Sequence, residues 1–423
     1  MKFKKIILLN LVYFLIFPTV SLQANNVTYY DNWDIPEYVK PNPNLVTLKH
    51  YFFKNYNLLN ENGIGKYTIK PLNNSEEFSK QLEKNDFISK EMNNSGLLSY
   101  LFYEKGNIRY DYISPKNRIG FIYNNSTPYL SNSIGKSFVS YILGHAICEG
   151  KIAGINTKVN DWPLIKDTLY YNQSLLNLIN MAANDDNYVD DMKGMKSSGR
   201  WYNIHSIKSF AERELKGSKQ SSNFNRKYNY NGFLTNIIMN YIVHKTDYKF
   251  EELLNRVFQE KVKIKNSIKV FYQKYPRKDD GKIIRNSSLE LTPEMGTAWY
   301  MFYATRYDFL RVAKSMLDDW NEDNCVGQYL KTVYKNRISK KLPSSLTSNP
   351  KKRQFYPSSY GGQFHFDYFK MKNRKILGMD GYGGQSILID FDNSRIVVVN
   401  TIHNDYDWKA LVYDVIKNGD IIR

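Results

Sequence analysis

The sequence predicts an α+β fold: one antiparallel sheet flanked by helices, with a mostly helical lobe between the two halves of that sheet. Three observations carry this expectation. Leu97–Tyr103 and Ile108–Tyr112 are strand-like runs on either side of a Glu104-Lys105-Gly106-Asn107 turn, the pattern of a β-hairpin. The long middle of the chain is dominated by apolar residues at helical spacing. Past residue 359 the pattern changes to three strand-like runs, Tyr360–Phe366, Ser386–Asp390 and Arg395–Asn400, and then to a helical stretch from Trp408 to Ile416. With strands at both ends and no internal repeat, the economical solution joins the two ends in one sheet.

The chain opens with features of an export signal. Lys2, Lys4 and Lys5 precede an apolar run from Ile6 to Phe17, interrupted only by Asn10; Pro18 follows, and Ala24 is a small residue suited to cleavage. The run is short for a membrane span, so residues 1–24 read as a signal peptide, with an uncleaved N-terminal anchor as the alternative. No cysteine lies near it to carry a lipid, and no later stretch approaches the length of a span. The expectation is an exported protein, periplasmic, with secretion or N-terminal anchoring as alternatives. Residues 25–94 form a polar lead-in containing Pro36, Pro41 and Pro43. Residues 95–423 form the main domain, with the helical lobe at about 150–320. A chain of 423 residues can bury a large core.

The formal charge is +18, from 59 basic and 41 acidic residues. A basic balance raises nucleic acid or an acidic membrane surface as partners. The lysines, however, are spread along the chain with no aromatic-interleaved basic arm, so the charge reads as a solvated surface and no nucleic-acid partner is expected. The two cysteines, Cys148 and Cys325, could pair in an oxidising compartment. Cys148 continues an apolar helix where a buried thiol packs well, and two free thiols are favoured. The six histidines are scattered without metal-ligand spacing, so neither a metal nor another cofactor is expected.

Between the ends, the elements read in order as follows. An apolar helix from Ser137 to Ile147 closes at Gly150. A connector over 151–172 turns at Asp161-Trp162-Pro163, and Ser174 caps a helix through Leu175, Leu178 and Met181. Residues 183–200 are loop-like, and His205–Leu215 is helical in pattern. Tyr228-Asn229-Tyr230-Asn231-Gly232 is a polar, turn-prone knot before an apolar helix with pairs at Phe233/Leu234, Ile237/Ile238 and Tyr241/Ile242. Phe250–Val262 and Thr297–Leu317 read as further helices, the latter with Asp308 in its middle. Residues 340–358 are basic and loop-like; Gly381–Gly384 and Asp392–Ser394 are turns. Asn85–Met92 has little periodicity.

Chemistry enters at Ser133-Ile134-Gly135-Lys136, the mouth of the first apolar helix. Ser and Lys three apart share a helix face, with Cβ atoms roughly 5–6 Å apart. A serine hydroxyl is a poor nucleophile, and a partly desolvated lysine can take its proton. Helix N-terminal N–H groups and the dipole favour an oxyanion there. The bland reading is an N-cap serine beside a solvated lysine, and Ser-x-x-Lys alone does not separate the two.

In its context the chain resembles the serine β-lactamase and penicillin-binding-protein superfamily, whose motifs include Ser-x-x-Lys. It is most similar to the branch holding class C β-lactamases, family VIII esterases, D-aminopeptidases and 6-aminohexanoate-dimer hydrolases. The similarity spans roughly residues 95–415. After Ser133–Lys136 come Glu149-Gly150-Lys151-Ile152, then Leu175-Leu176-Asn177-Leu178-Ile179-Asn180-Met181, then Gly296-Thr297-Ala298 through Ala304-Thr305-Arg306-Tyr307-Asp308-Phe309-Leu310. Gly381-Tyr382-Gly383-Gly384-Gln385 stands where many members have Gly-His-Gly-Gly-Gln.

The resemblance implies that Ser133 is acylated, that Lys136 is its base, and that backbone N–H groups of Ser133 and Gln385 form the oxyanion hole. The strand Tyr382, Gly383, Gly384, Gln385 would lie against substrate. The family's Tyr-x-Asn is imperfect here. Tyr228-Asn229-Tyr230 lacks the Asn, Tyr230-Asn231-Gly232 is the alternative, and an ungapped match puts Arg226 at the position. Tyr228 is the first choice for proton relay and Tyr230 the second. Each could equally be a packed aromatic in a tyrosine-rich chain. Tyr382 replaces the lysine with which β-lactamases hold the β-lactam carboxylate, and Met181-Ala182-Ala183-Asn184 replaces the usual Met-x-Ser-Gly. The expected function is an exported serine hydrolase acting on an ester, an amide or a D-amino-acid peptide, with a small molecule or short peptide as substrate. The alternative is a non-catalytic binding relative.

Overall fold

The computed structural model describes residues 64–117, 123–190, 194–195, 206–219, 227–275, 291–340, 356–368, 371–402 and 409–421. The expected signal peptide, Arg226 and most of the 340–358 loop lie outside the described residues. Among the described residues nine strands form the larger sheet: β2 (Ser79–Lys80), β3 (Leu97–Glu104), β4 (Asn107–Ile113), β10 (Ile338–Ser339), β11 (Pro357–Gly361), β12 (Phe364–Tyr368), β13 (Ile376–Gly381), β14 (Gln385–Asp390) and β15 (Arg395–Thr401). Their order is β10-β11-β12-β13-β14-β15-β3-β4-β2. All neighbours are antiparallel except β2 and β4. The contact of β15 with β3 joins the two chain ends, Val398 opposite Leu101.

The central strands are buried on both faces, and their alternation sorts the side chains. Leu101, Tyr103, Ile387, Ile389, Ile396 and Val398 enter the main core. Tyr100, Phe102, Leu388, Val397 and Val399 enter a second one. That second core is closed by helices α1 (Asp86–Asn94) and α9 (Lys409–Asn418), through Ile88, Met92, Leu411, Val412, Val415 and Ile416. α1 forms in the stretch of weak periodicity because Asn85 caps it, its side chain accepting from the Ile88 N–H at 3.1 Å.

The main core is filled by α2 (Ile134–Cys148), α3 (Leu175–Ile179), α4 (Ile207–Arg213), α5 (Gly232–Lys245), α6 (Phe250–Asn255), α7 (Arg306–Glu322) and α8 (Cys325–Lys335). Helix α2 is buried on nearly every side, as its almost unbroken apolar sequence requires. A six-residue π-helical turn, Arg256–Lys261, continues α6.

Three sequence expectations need correction. Thr297–Leu317 is not one helix. It is strand β9 (Ala298–Thr305) followed by α7. Thr305 breaks the run by turning extended and accepting from the Asp308 N–H, so Asp308 lies in the first helical turn and not mid-helix. Among the described residues β9 belongs to a second sheet of four strands, with β1 (Ile64–Ile69), β5 (Pro128–Leu130) and β8 (Ile268–Gln273), in the order β1-β8-β9-β5, and β6 (Val189–Asp190) pairs with β7 (Gly194–Met195) in a separate ribbon. Tyr360–Phe366 is not one strand but the turn of a hairpin, with Gly362 at φ 56° and Gln363 at φ 68° between β11 and β12. Finally, Cys148 and Cys325 are not free thiols. They form a disulfide, because the end of α2 and the start of α8 bring their Cα atoms to 5.9 Å. Among the described residues no helix is long and apolar enough to cross a membrane.

Candidate active site

Strand β9 decides where α2 begins. β5 pairs with β9 through Leu130 and Tyr303, and the next residue continues the ladder. The Ser131 N–H donates to the Phe302 carbonyl at 2.8 Å, and the Phe302 N–H donates to Ser131 Oγ at 3.0 Å. Asn132 then turns the chain at φ 46°. The first helical turn is tight: the N–H groups of Ile134, Gly135 and Lys136 donate to the carbonyls of Ser131, Asn132 and Ser133. Gly135 lies directly on β9, where a Cβ would fall 1.8 Å from the Tyr300 carbonyl oxygen. Only glycine permits this approach.

This geometry separates the two readings of Ser-x-x-Lys. Ser133 stands at the N-cap of α2, yet its side chain makes no capping bond. The hydroxyl is engaged by Lys136 Nζ at 2.8 Å. Lys136 is not solvated but 2% exposed. Its Nζ lies over the rings of Tyr300, 4.3 Å from the centroid, and Tyr230, 4.7 Å. Tyr300 was not anticipated from sequence. Its place on a strand beneath the helix was hidden by the helical reading of its segment.

The two candidate tyrosines are treated differently. Tyr230 presents its ring face to Lys136. Tyr228 packs on Tyr360, with centroids 5.1 Å apart, and Lys340 Nζ lies over its ring at 5.7 Å. Tyr360 also meets Tyr230 edge-on at 6.1 Å, so the three rings form one wall. Behind that wall Asp185 is wholly buried. It accepts from the Tyr170 hydroxyl at 2.9 Å and from the side-chain amides of Asn229 at 2.7 Å and Asn231 at 3.1 Å. Burial raises its carboxyl above the ordinary range, opposed by these donors.

The glycine-rich motif forms the β13–β14 hairpin. Gly381 pairs with Gln385, and the turn at Tyr382–Gly384 uses φ of 87° and 85° at Gly383 and Gly384, so of the expected strand Tyr382–Gln385 only Gln385 lies on a strand; the two positive-φ glycines turn the chain first. It is docked on the start of α2: Asn132 Nδ2 donates to the Tyr382 carbonyl at 2.7 Å, and Gly381 lies close against Ser131 and Asn132. Gln385 turns its side chain inward, its Nε2 donating to Thr401 O at 2.7 Å and its Oε1 accepting from Asn400 at 2.8 Å. Thus α2, the 227–231 strip and the β13–β14 turn converge on one place. Among the described residues no cluster of three or more His, Cys, Asp or Glu could hold a metal ion.

No family model matches the chain, and no curated protein matches it by sequence. Solved structures do. A candidate 6-aminohexanoate-dimer hydrolase from Bacillus anthracis superposes with a TM-score of 0.56 at 15% identity, over 93% of this chain and 96% of that one. A penicillin-binding-protein homologue from Caulobacter crescentus gives 0.52 at 13% identity, over 75% of this chain and 90% of its own. A penicillin-binding protein from Bacillus halodurans gives 0.51 at 12%, over 78% and 98%. At such identities the likeness is one of architecture, and it reproduces the expected sheet and helical lobe. The chain has the fold of the serine β-lactamase and penicillin-binding-protein superfamily.

Proposed function

We propose that the protein is an exported serine hydrolase that cleaves an ester, an amide or a D-amino-acid peptide bond through an acyl-enzyme on Ser133. The single observation that carries this reading is the Lys136 Nζ to Ser133 Oγ contact of 2.8 Å, made by a lysine withdrawn from solvent. Lys136 takes the hydroxyl proton as Ser133 attacks the carbonyl. The faces of Tyr230 and Tyr300 receive the ammonium that results. The breaking bond needs a proton donor. Tyr230 offers Lys136 its ring face, which favours Tyr228 as the hydroxyl that relays a proton to the leaving group. Backbone N–H groups of Ser133 and Gln385 stabilise the oxyanion, with Tyr382, Gly383 and Gly384 along the substrate edge. Water then releases the acid. Export accords with a disulfide in a protein that has no free cysteine among its described residues.

Intact-mass measurement after exposure to a fluorophosphonate or a penicillin tests the reading, with Ser133→Ala beside the wild type. One adduct on the wild type and none on the variant is the expected outcome. The variant removes the bond to Lys136 but no capping bond, so its stability should stay within about 1–2 kcal/mol of wild type. No adduct under any condition would favour the non-catalytic binding relative.

A further inference from the structure

We propose that Asp185 is a positioning residue that holds the Tyr228–Tyr230 strip against Lys136, an assignment that rests on the serine-hydrolase reading. Residues 227–231 belong to no helix or strand, so their place is set by individual bonds. Three of those bonds reach the 181–185 segment. The Asn229 N–H donates to the Met181 carbonyl at 2.8 Å, and the side-chain amides of Asn229 and Asn231 donate to the two Asp185 oxygens at 2.7 and 3.1 Å. The two amides flank Tyr230 in sequence, so the carboxylate grips the strip on both sides of the ring that covers Lys136. Asn231 is fixed a second time, its Oδ1 accepting the Leu234 N–H at 2.9 Å to cap α5. Asp185 itself is held by the Tyr170 hydroxyl. A carboxylate with no exposure is costly unless its acceptors are filled, and here two of the three side-chain donors are spent on the strip. The chemistry needed is that of an acceptor for several donors, not that of a charge. Asparagine at 185 keeps an oxygen for Tyr170 and Asn231, and its amide can donate to Asn229 once that side chain turns over.

The test is the rate of Ser133 labelling by a fluorophosphonate, followed by intact mass well below every melting temperature. It is run on wild type, Asp185→Ala, Asp185→Asn, Asn229→Ala and Val243→Ala. Val243 is buried in the last turn of α5 and serves as a destabilised control. Asp185→Ala is expected to slow labelling roughly 10–100-fold, since a small displacement of the strip misaligns the reacting groups. The loss should lie in the limiting rate and not in the half-saturating concentration. Asn229→Ala should slow it several-fold, Asp185→Asn should recover most of the rate, and Val243→Ala should leave it unchanged. Wild-type labelling in Asp185→Ala, or equal slowing in Val243→Ala, would overturn the assignment. If Asp185→Ala does not fold, an undiminished rate in the half-exposed Asn229→Ala overturns it instead. A wild type that takes no label overturns the serine-hydrolase reading itself, a result separate from any difference among the variants.

Discussion

Gly135 sets where Ser133 and Lys136 stand, although it bears no side chain of its own. Its hydrogen faces the Tyr300 carbonyl, and a methyl in its place would meet that oxygen well inside contact distance. The backbone oxygen cannot rotate away, so Gly135→Ala must lift the first turn of α2 off β9. The expected cost is about 1–3 kcal/mol, in the range of overpacked cores, together with slower labelling of Ser133; calorimetry and the labelling assay check the two effects. The tyrosines allow a cleaner division. Tyr230→Phe keeps a ring over Lys136 and should keep most of the turnover. Tyr228→Phe should lower it by about 10²–10⁴, the usual worth of a general acid–base group. Steady-state kinetics on one ester substrate decides, and the reverse ranking would exchange the two roles. At this scale the sequence was informative where chemistry is local. Ser133 and Lys136 meet because they are one turn apart. Tyr300 and Asp185 escaped notice because their relation to the site depends on which elements pack together, which neighbours in sequence do not encode.

The segment from Thr297 to Leu317 explains the largest misreading among the elements. A run such as Ala298-Trp299-Tyr300-Met301-Phe302-Tyr303-Ala304 is apolar throughout, so helical and strand periods both fit it. The structure resolves it by facing: Tyr300, Phe302 and Ala304 enter the main core, while Trp299 and Tyr303 enter a separate cluster with Phe271 and Leu130. That is period two, as strands require. The local signal that could have found the boundary is Thr305-Arg306-Tyr307-Asp308, a threonine three residues before an acid. Thr305 caps through the Asp308 N–H, and its hydroxyl also donates to Asp308 Oδ2 at 2.7 Å. Asp308 in turn accepts from the Lys265 and Asn266 N–H groups before β8. Thr305→Ala therefore removes a cap that ties α7 to the second sheet. A loss of about 1–2 kcal/mol in denaturant unfolding is expected, and a change below a few tenths would show that Asp308 alone fixes the junction.

The joining of both chain ends in one sheet was legible because each end carries strand patterns, whereas the mid-chain strands β8 and β9 belong to the second sheet. The disulfide was not, because pairing depends on where α2 and α8 finish and start in space. The same corner of the molecule holds a buried histidine that is expected to make the fold sensitive to acid. His145 sits one turn before Cys148, edge-on to Tyr141 with centroids 4.7 Å apart, and its Nε2 is buried without a hydrogen-bond partner. Burial lowers its pKa to about 4, against the attraction of Asp319 and Glu149 and with a smaller push from Lys261. In the unfolded chain the ring binds a proton below about 6.5, while the folded protein resists protonation until near 4. Between these limits the unfolded state holds more protons, so stability falls as pH drops, by at most roughly 3 kcal/mol from this group. Asp111 and Glu104 act in a lower window. Each carboxyl is held below the usual range by arginine partners against the cost of burial, so its contribution starts to be lost near the unfolded-state value of about 4 and goes as the pH falls further. Denaturant unfolding of wild type and His145→Gln at intervals from pH 7.5 to 4 separates the two. The wild-type curve should decline across this range and the variant's should stay nearly level, the two converging in slope only below pH 4. Parallel curves throughout would place the acid sensitivity in the carboxylates alone.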